Sequence, residues 1–156
     1  TTSKVMETYA CLGDGAQEID MVLNVGALKS EAFGMVLNDI QGVVQAAHHQ
    51  RAIVKVILEN ALLTRRQKIL ACLLCQAAEA DFVKTSTGFA ASGATLEDVD
   101  LMRRVVGAGM GVKAAGGVRS YAEALAMIRA GASRIGSSSG VSILQAAEAS
   151  LQGNSS

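Results

Sequence analysis

The chain has 156 residues, half of them hydrophobic but only 3% aromatic, and 14 basic side chains balance 14 acidic ones. That length gives one domain a sizeable core, which here has to be built from Ala, Val, Ile, Leu and Met. Balanced charge without basic runs or stacking aromatics argues against a nucleic-acid partner, and no apolar stretch approaches the ~20 residues of a membrane span.

Short strand-like runs alternate with helical stretches along the whole chain. Residues 3–13 read as a helix, and EIDMVLNV (18–25) as a first strand. A long helix is expected from about Lys29 to Gln50, followed by a second strand in AIVKVILE (52–59). TRRQKILACLLCQAAEA (64–80) has apolar residues near i, i+3 and i+4, the pattern of an amphipathic helix. DFVKTST (81–87) is a third strand, after which Thr95, with Asp98 three residues on, caps a helix reaching Val106. GVKAAGG (111–117) is the fourth strand, and Ser120–Ala130 a helix closed by Gly131. ASRIGSSSG (132–140) holds the fifth strand, and VSILQAAEASLQ (141–152) is the last helix. One domain over 1–152 and a flexible tail over 153–156 are therefore expected.

The N-terminus, TTSKVMETYA, lacks the charged-then-apolar order of a signal peptide. Cys72 and Cys75 fall in mid-helix with no second Cys or His pair nearby, so they read as packed thiols, not as a redox or metal site. With Cys11 they make an odd count without a framework, which fits a reducing cytoplasm. No metal and no cofactor is expected.

Strands separated by helices of this length pair in parallel through right-handed crossovers. A doubly wound open sheet and a (β/α)8 TIM barrel both satisfy that order. The polar groups favour the barrel, because each strand carries chemistry at its C-terminal end: Asp20 and Asn24, Glu59 and Asn60, Lys84 to Thr87, Lys113 to Gly117, and Gly136 to Ser139. A whole barrel needs at least about 200 residues. About five βα units in this chain are therefore expected to be an N-terminally truncated portion, a reading that a start at Thr and the absence of proline also fit.

Lys84 stands near the end of an apolar strand, where enclosure favours the neutral amine that can attack a carbonyl. Lys113 occupies the equivalent place on the next strand, and two cations at that range do not both keep their protons cheaply. Asp20 brings a carboxylate from the first strand, suited to moving protons during aldol chemistry or to pairing with a neighbouring loop. Gly116 and Gly117, and the serines at 137–139, sit where backbone N–H groups and helix N-termini form an anion cradle, although turns use the same residues. His48 and His49 read as solvated. Lys55 reads as half of an ion pair with Glu59 or Asp20, or as an electrostatic neighbour of Lys84.

Taken together, EIDMVLNVGALKS, VKVILENALLT, ADFVKTSTGF, GVKAAGGVRS and RIGSSSGVSIL resemble, in order and spacing, the signatures of the deoxyribose-phosphate aldolase family of class I aldolases. The resemblance covers nearly the whole chain. It implies that Lys84 forms a Schiff base, that Lys113 tunes it, and that Asp20 belongs to a proton relay. It further implies phosphate contacts at Thr87, Gly88, Gly116, Gly117, Ser138 and Ser139. The implied reaction is reversible cleavage of 2-deoxy-D-ribose 5-phosphate into D-glyceraldehyde 3-phosphate and acetaldehyde, without a metal. The family's first three strands and its terminal Tyr have no counterpart, Asn60 replaces a usual Thr or other small residue, and Glu79 a usual Gly. Sheet edges left open in this way predict a homo-oligomer. The competing readings are another phosphate-binding barrel enzyme, such as an isomerase in which Lys84 forms no imine, and a non-catalytic remnant or assembly fragment.

Overall fold

In the computed structural model, which describes residues 1–89 and 92–153, five apolar runs form the strands β1 (Glu18–Val22), β2 (Ile53–Ile57), β3 (Phe82–Lys84), β4 (Gly111–Ala115) and β5 (Arg134–Gly136). They pair in sequence order, every pair parallel. The helices are α1 (Thr2–Gly13), α2 (Val25–Lys29), α3 (Phe33–His49), α4 (Arg65–Ala77), α5 (Leu96–Val106), α6 (Tyr121–Arg129) and α7 (Gly140–Gly153), with a 3-10 turn at Asn60–Leu62. Among the described residues no helix is long and apolar enough to cross a membrane. Of the tail expected over 153–156, Gly153 closes α7 and the rest lies outside the described residues.

All five strands stand where the sequence predicts them, but shorter. The first was expected to run to Val25; instead the Asn24 side chain accepts the Ala27 N–H at 3.0 Å and starts α2, an element the apolar run VGAL conceals. Side-chain caps set the starts of α2, α4, α5 and α6. Thr64 with Gln67, and Ser120 with Glu123, form reciprocal capping boxes on α4 and α6. Thr95 accepts the Asp98 N–H at 3.1 Å as expected, while the Asp98 carboxylate takes a different partner, Lys68, at 2.6 Å.

Register assigns the two faces of the sheet. Met21, Val56, Val83 and Val112 lie on one rung. They are buried under Val36, Ile40 and Val43 of α3, Cys72 and Cys75 of α4, and Val99 and Met102 of α5. Full burial of each such valine contributes about 1.5–3 kcal/mol relative to exposure. The opposite face carries Asp20, Lys55, Phe82 and Gly111 on one rung and Lys84, Lys113 and Arg134 on another. A Cβ at Gly111 would lie 2.1 Å from the Phe82 ring, so glycine there lets the ring keep its place. That ring in turn underlies the Arg134 guanidinium at 4.7 Å.

This charged face is concave. Arg134 on β5 reaches the Glu18 carboxylate on β1 at 2.7 Å and 2.9 Å. A flat five-stranded sheet would hold those strands about 19 Å apart, beyond the combined reach of the two side chains. The sheet therefore curls as part of a barrel, with the C-terminal ends of its strands on one rim.

Candidate active site

Asp20 is the hub of the concave face. Its Oδ2 lies 2.7 Å from Lys84 Nζ and 3.5 Å from Lys113 Nζ, and its Oδ1 lies 2.8 Å from Lys55 Nζ. Lys55 also contacts Glu18 at 2.8 Å, and Glu18 carries Arg134, so alternating charges run from the open base of the sheet up to the lysine pair. Parallel register alone brings Lys84 beside Lys113, and their side chains are 12% and 19% exposed.

The electrostatics follow from these contacts. Burial by itself would raise the Asp20 pKa, but hydrogen bonds from Lys55 and Lys84 and the charge of Lys113 override it and hold the carboxyl at about 2. Glu18 is likewise lowered to about 2, by hydrogen bonds from Lys55 and Arg134. Burial opposes the charge on Lys55, yet the Asp20 and Glu18 carboxylates keep its pKa raised. Lys113 is pushed the other way, down, by burial first and then by the positive charges of Lys84 and Lys55, with Asp20 only partly offsetting them.

An acid-stability prediction follows. Asp20 has its pKa depressed in the fold, so its contribution is fully present above the ordinary carboxylate range and is lost as pH falls through that range towards 2. The amount is at most about 2 kcal/mol, since the group is partly solvated. Denaturant unfolding of the wild-type chain and of Asp20→Asn between about pH 5 and pH 2.5 checks this, and the variant is expected to lose less stability across that interval.

Above the lysines a cavity of about 430 Å³ opens at the rim, lined among others by Thr87, Gly88, Gly116, Gly117, Ser137 and Ser138. Lys84 and Lys113 form its floor. The expected phosphate residues thus converge, with one exception. Ser139 does not line the cavity, and its N–H is held by Ser137 Oγ at 3.0 Å. Ser137, expected in the cradle from the serine cluster although not among the contacts the resemblance implies, lines the cavity and donates its hydroxyl to Val118 O at 2.5 Å. Gly116 and Gly117 adopt φ of 85° and 81°, a conformation other residues take at a cost, so the rim there is bare backbone.

Three further sequence readings meet the structure here. Lys55 pairs with Asp20 as one option had it, but its second partner is Glu18 and not Glu59. His48 is not merely solvated: its Nε2 lies 2.8 Å from Asp81, which also accepts the Val54 N–H. Cys72 and Cys75 are buried thiols; burial lifts the first to about 12 and the second well above the ordinary thiol range. The Glu18–Arg134 contact was missed, since it joins residues 116 positions apart and depends on sheet curvature.

Chemically, the arrangement offers a primary amine in a shielded floor, a carboxylate ionised at neutral pH in contact with it, a second amine that loses its proton more readily than usual, and a rim lined by glycines and serines. Residues 1–148 match the model of the DeoC/LacD family aldolase. The chain is 58% identical over 147 residues to the deoxyribose-phosphate aldolase of Thermococcus kodakarensis, covering 94% of this chain and 66% of that protein. The same identity and coverage hold for the deoxyribose-phosphate aldolase of Streptococcus sanguinis. Among solved structures, the aldolase QR15 superimposes with a TM-score of 0.88 at 42% identity, over 92% of this chain and 64% of that one. A tetrameric deoxyribose phosphate aldolase from Aeropyrum pernix gives 0.83 at 36% identity, over 92% and 60%. The chain thus spans just under two thirds of the length of the curated relatives it matches.

Proposed function

This chain belongs to the DeoC/LacD family of aldolases, and on that premise we infer that it catalyses the reversible cleavage of 2-deoxy-D-ribose 5-phosphate to D-glyceraldehyde 3-phosphate and acetaldehyde through an imine on Lys84. The observation that carries the reading is the contact of Lys84 with Asp20 at 2.7 Å, with Lys113 on the same carboxylate oxygen, beneath the glycine-rich rim.

The neutral Lys84 amine attacks the C1 aldehyde of the open-chain sugar, and loss of water leaves an imine whose protonated form draws electrons from C2. Removal of the proton from the C3 hydroxyl then breaks the C2–C3 bond. Glyceraldehyde 3-phosphate departs, and the electron pair rests in an enamine. Protonation at C2 and addition of water release acetaldehyde and restore the amine. Asp20, ionised at neutral pH, accepts protons directly or through a water, and Lys113 supplies them. The phosphate binds Gly88, Gly116, Gly117 and Ser138 at the rim, with Thr87 on the same wall and Ser139 behind. Binding at that end places C1 over the amine, and fixed placement of this kind is a large part of the rate.

The reaction needs no metal or organic cofactor, since each proton and electron pair is handled by side chains. A reducing cytoplasm suits three free thiols. A homo-oligomer would protect the outer edges of β1 and β5, in keeping with the tetrameric Aeropyrum relative.

Synthesis in the reverse direction tests the activity. Incubated with acetaldehyde and glyceraldehyde 3-phosphate, the chain is expected to accumulate 2-deoxyribose 5-phosphate, followed by carbon NMR with labelled acetaldehyde. Interconversion of sugar phosphates without a labelled carbon–carbon bond would instead place the site with the isomerases.

A further inference from the structure

Glu59, just beyond the end of β2, is only 6% exposed, and its backbone is left-handed, at φ 55° and ψ 62°. Among the described residues no basic side chain lies within ion-pair distance of its carboxylate, and its hydrogen-bond donors all come from Thr87. The Thr87 N–H lies 3.3 Å and 3.4 Å from the two carboxylate oxygens, and the Thr87 hydroxyl donates to Oε2. Burying a carboxylate is costly unless donors offset the lost water, and a left-handed backbone adds strain for any residue but glycine. Both costs fall on one residue that touches the site only through its neighbour.

A threonine hydroxyl has a single proton to give. Here it goes to Glu59, while Thr87 Oγ1 accepts the Phe89 N–H at 3.2 Å. These bonds fix the Thr87–Phe89 turn with Gly88 at its apex, at φ 97°. The loop after β3 also rests on the loop after β4. Ala94 N–H donates to Gly116 O at 2.9 Å, and a Cβ on Gly116 would lie 3.7 Å from Gly88 Cα. The place of Gly88 therefore helps to set the wall that Gly116 and Gly117 complete.

We propose that Glu59 is a positioning residue for the phosphate end of the cavity, its carboxylate holding the Thr87–Phe89 turn so that the Gly88 backbone faces the same space as Gly117 and Ser138. Its identification as a phosphate end rests on the aldolase reading, whereas the link from Glu59 to anion binding can be measured without turnover.

Two variants separate position from folding. Glu59→Gly suits the left-handed backbone and removes the carboxylate; Glu59→Gln keeps an acceptor oxygen in place. Inorganic phosphate is titrated into each full chain while the Gly88, Gly116 and Gly117 amides are followed by NMR. Kinetics are then compared on 2-deoxyribose 5-phosphate and on 2-deoxyribose. Glu59→Gly is expected to weaken phosphate binding and raise KM for the phosphorylated sugar about tenfold, with kcat and turnover of the free sugar within about twofold of wild type. Glu59→Gln is expected to recover most of the loss. Unchanged phosphate affinity in Glu59→Gly, equal losses on both sugars, or a wild-type chain whose rim amides ignore phosphate would each overturn the proposal. A wild type that binds phosphate but converts neither sugar would sink the aldolase reading alone, and the titration would still decide on Glu59.

Discussion

Leucine in place of Lys84 is expected to abolish covalent capture of acetaldehyde and to lower kcat/KM by about 10⁴-fold or more, as loss of a nucleophile does elsewhere. The carbonyl carbon needs a nitrogen lone pair, and no other amine stands in the same relation to Asp20 and the rim. Lys113 touches the same carboxylate oxygen but at 3.5 Å, one strand further round. Lys55 is buried lower down, between Asp20 and Glu18. The fold should survive. Lys84 is held by one ion pair, Asp20 keeps its contacts with Lys55 and Lys113, and a leucine at the end of an apolar strand leaves no buried charge without a partner. An unchanged far-ultraviolet dichroism spectrum with no trapped adduct is the expected pair of results. A Lys84→Leu chain that still captures acetaldehyde on another residue would contradict the assignment.

The second large effect is expected of Lys113→Leu. In the wild type, Lys113 loses its proton more easily than an ordinary lysine because it is buried and faces Lys84 and Lys55. Without it, the floor loses one positive charge while the Asp20 carboxylate stays 2.7 Å from Lys84. The remaining amine then sits in a more negative surrounding and releases its proton less readily. Imine formation at neutral pH is expected to slow about 10- to 100-fold, and the rising limb of the pH–rate profile to move to higher pH. A profile that stays in place while the rate falls would mean that Lys113 only transfers protons and does not tune its neighbour.

Much of this site was legible in the sequence because parallel sheets are simple to index. Apolar runs separated by amphipathic helices stack in order, so Lys84 and Lys113, each near the end of its run, had to become neighbours. Asp20 was legible as a carboxylate from the first strand, but its contact with Lys84 reaches across β2, which strand order alone does not place. What escaped depends on distance or local competition. The Glu18–Arg134 pair requires the sheet to curl, which periodicity does not encode. The strand expected over 81–87 ends at Lys84 although Thr85 still donates to Lys113 O at 3.1 Å, because Thr87 turns away to meet Glu59. The charge balance was also only partly visible. Two lysines side by side suggest mutual repulsion, whereas the lowered pKa of Lys113 comes first from burial and only then from the charges of Lys84 and Lys55, and burial at that point is set by the packing of the curled sheet.

Reduction of the chain with borohydride in the presence of acetaldehyde, followed by peptide mapping, tests the central claim most directly. The account predicts a single N-ethyl group on Lys84, absent when borohydride or acetaldehyde is omitted. A chain that gains no covalent mass, or one modified evenly over its exposed lysines with Lys84 untouched, would contradict it.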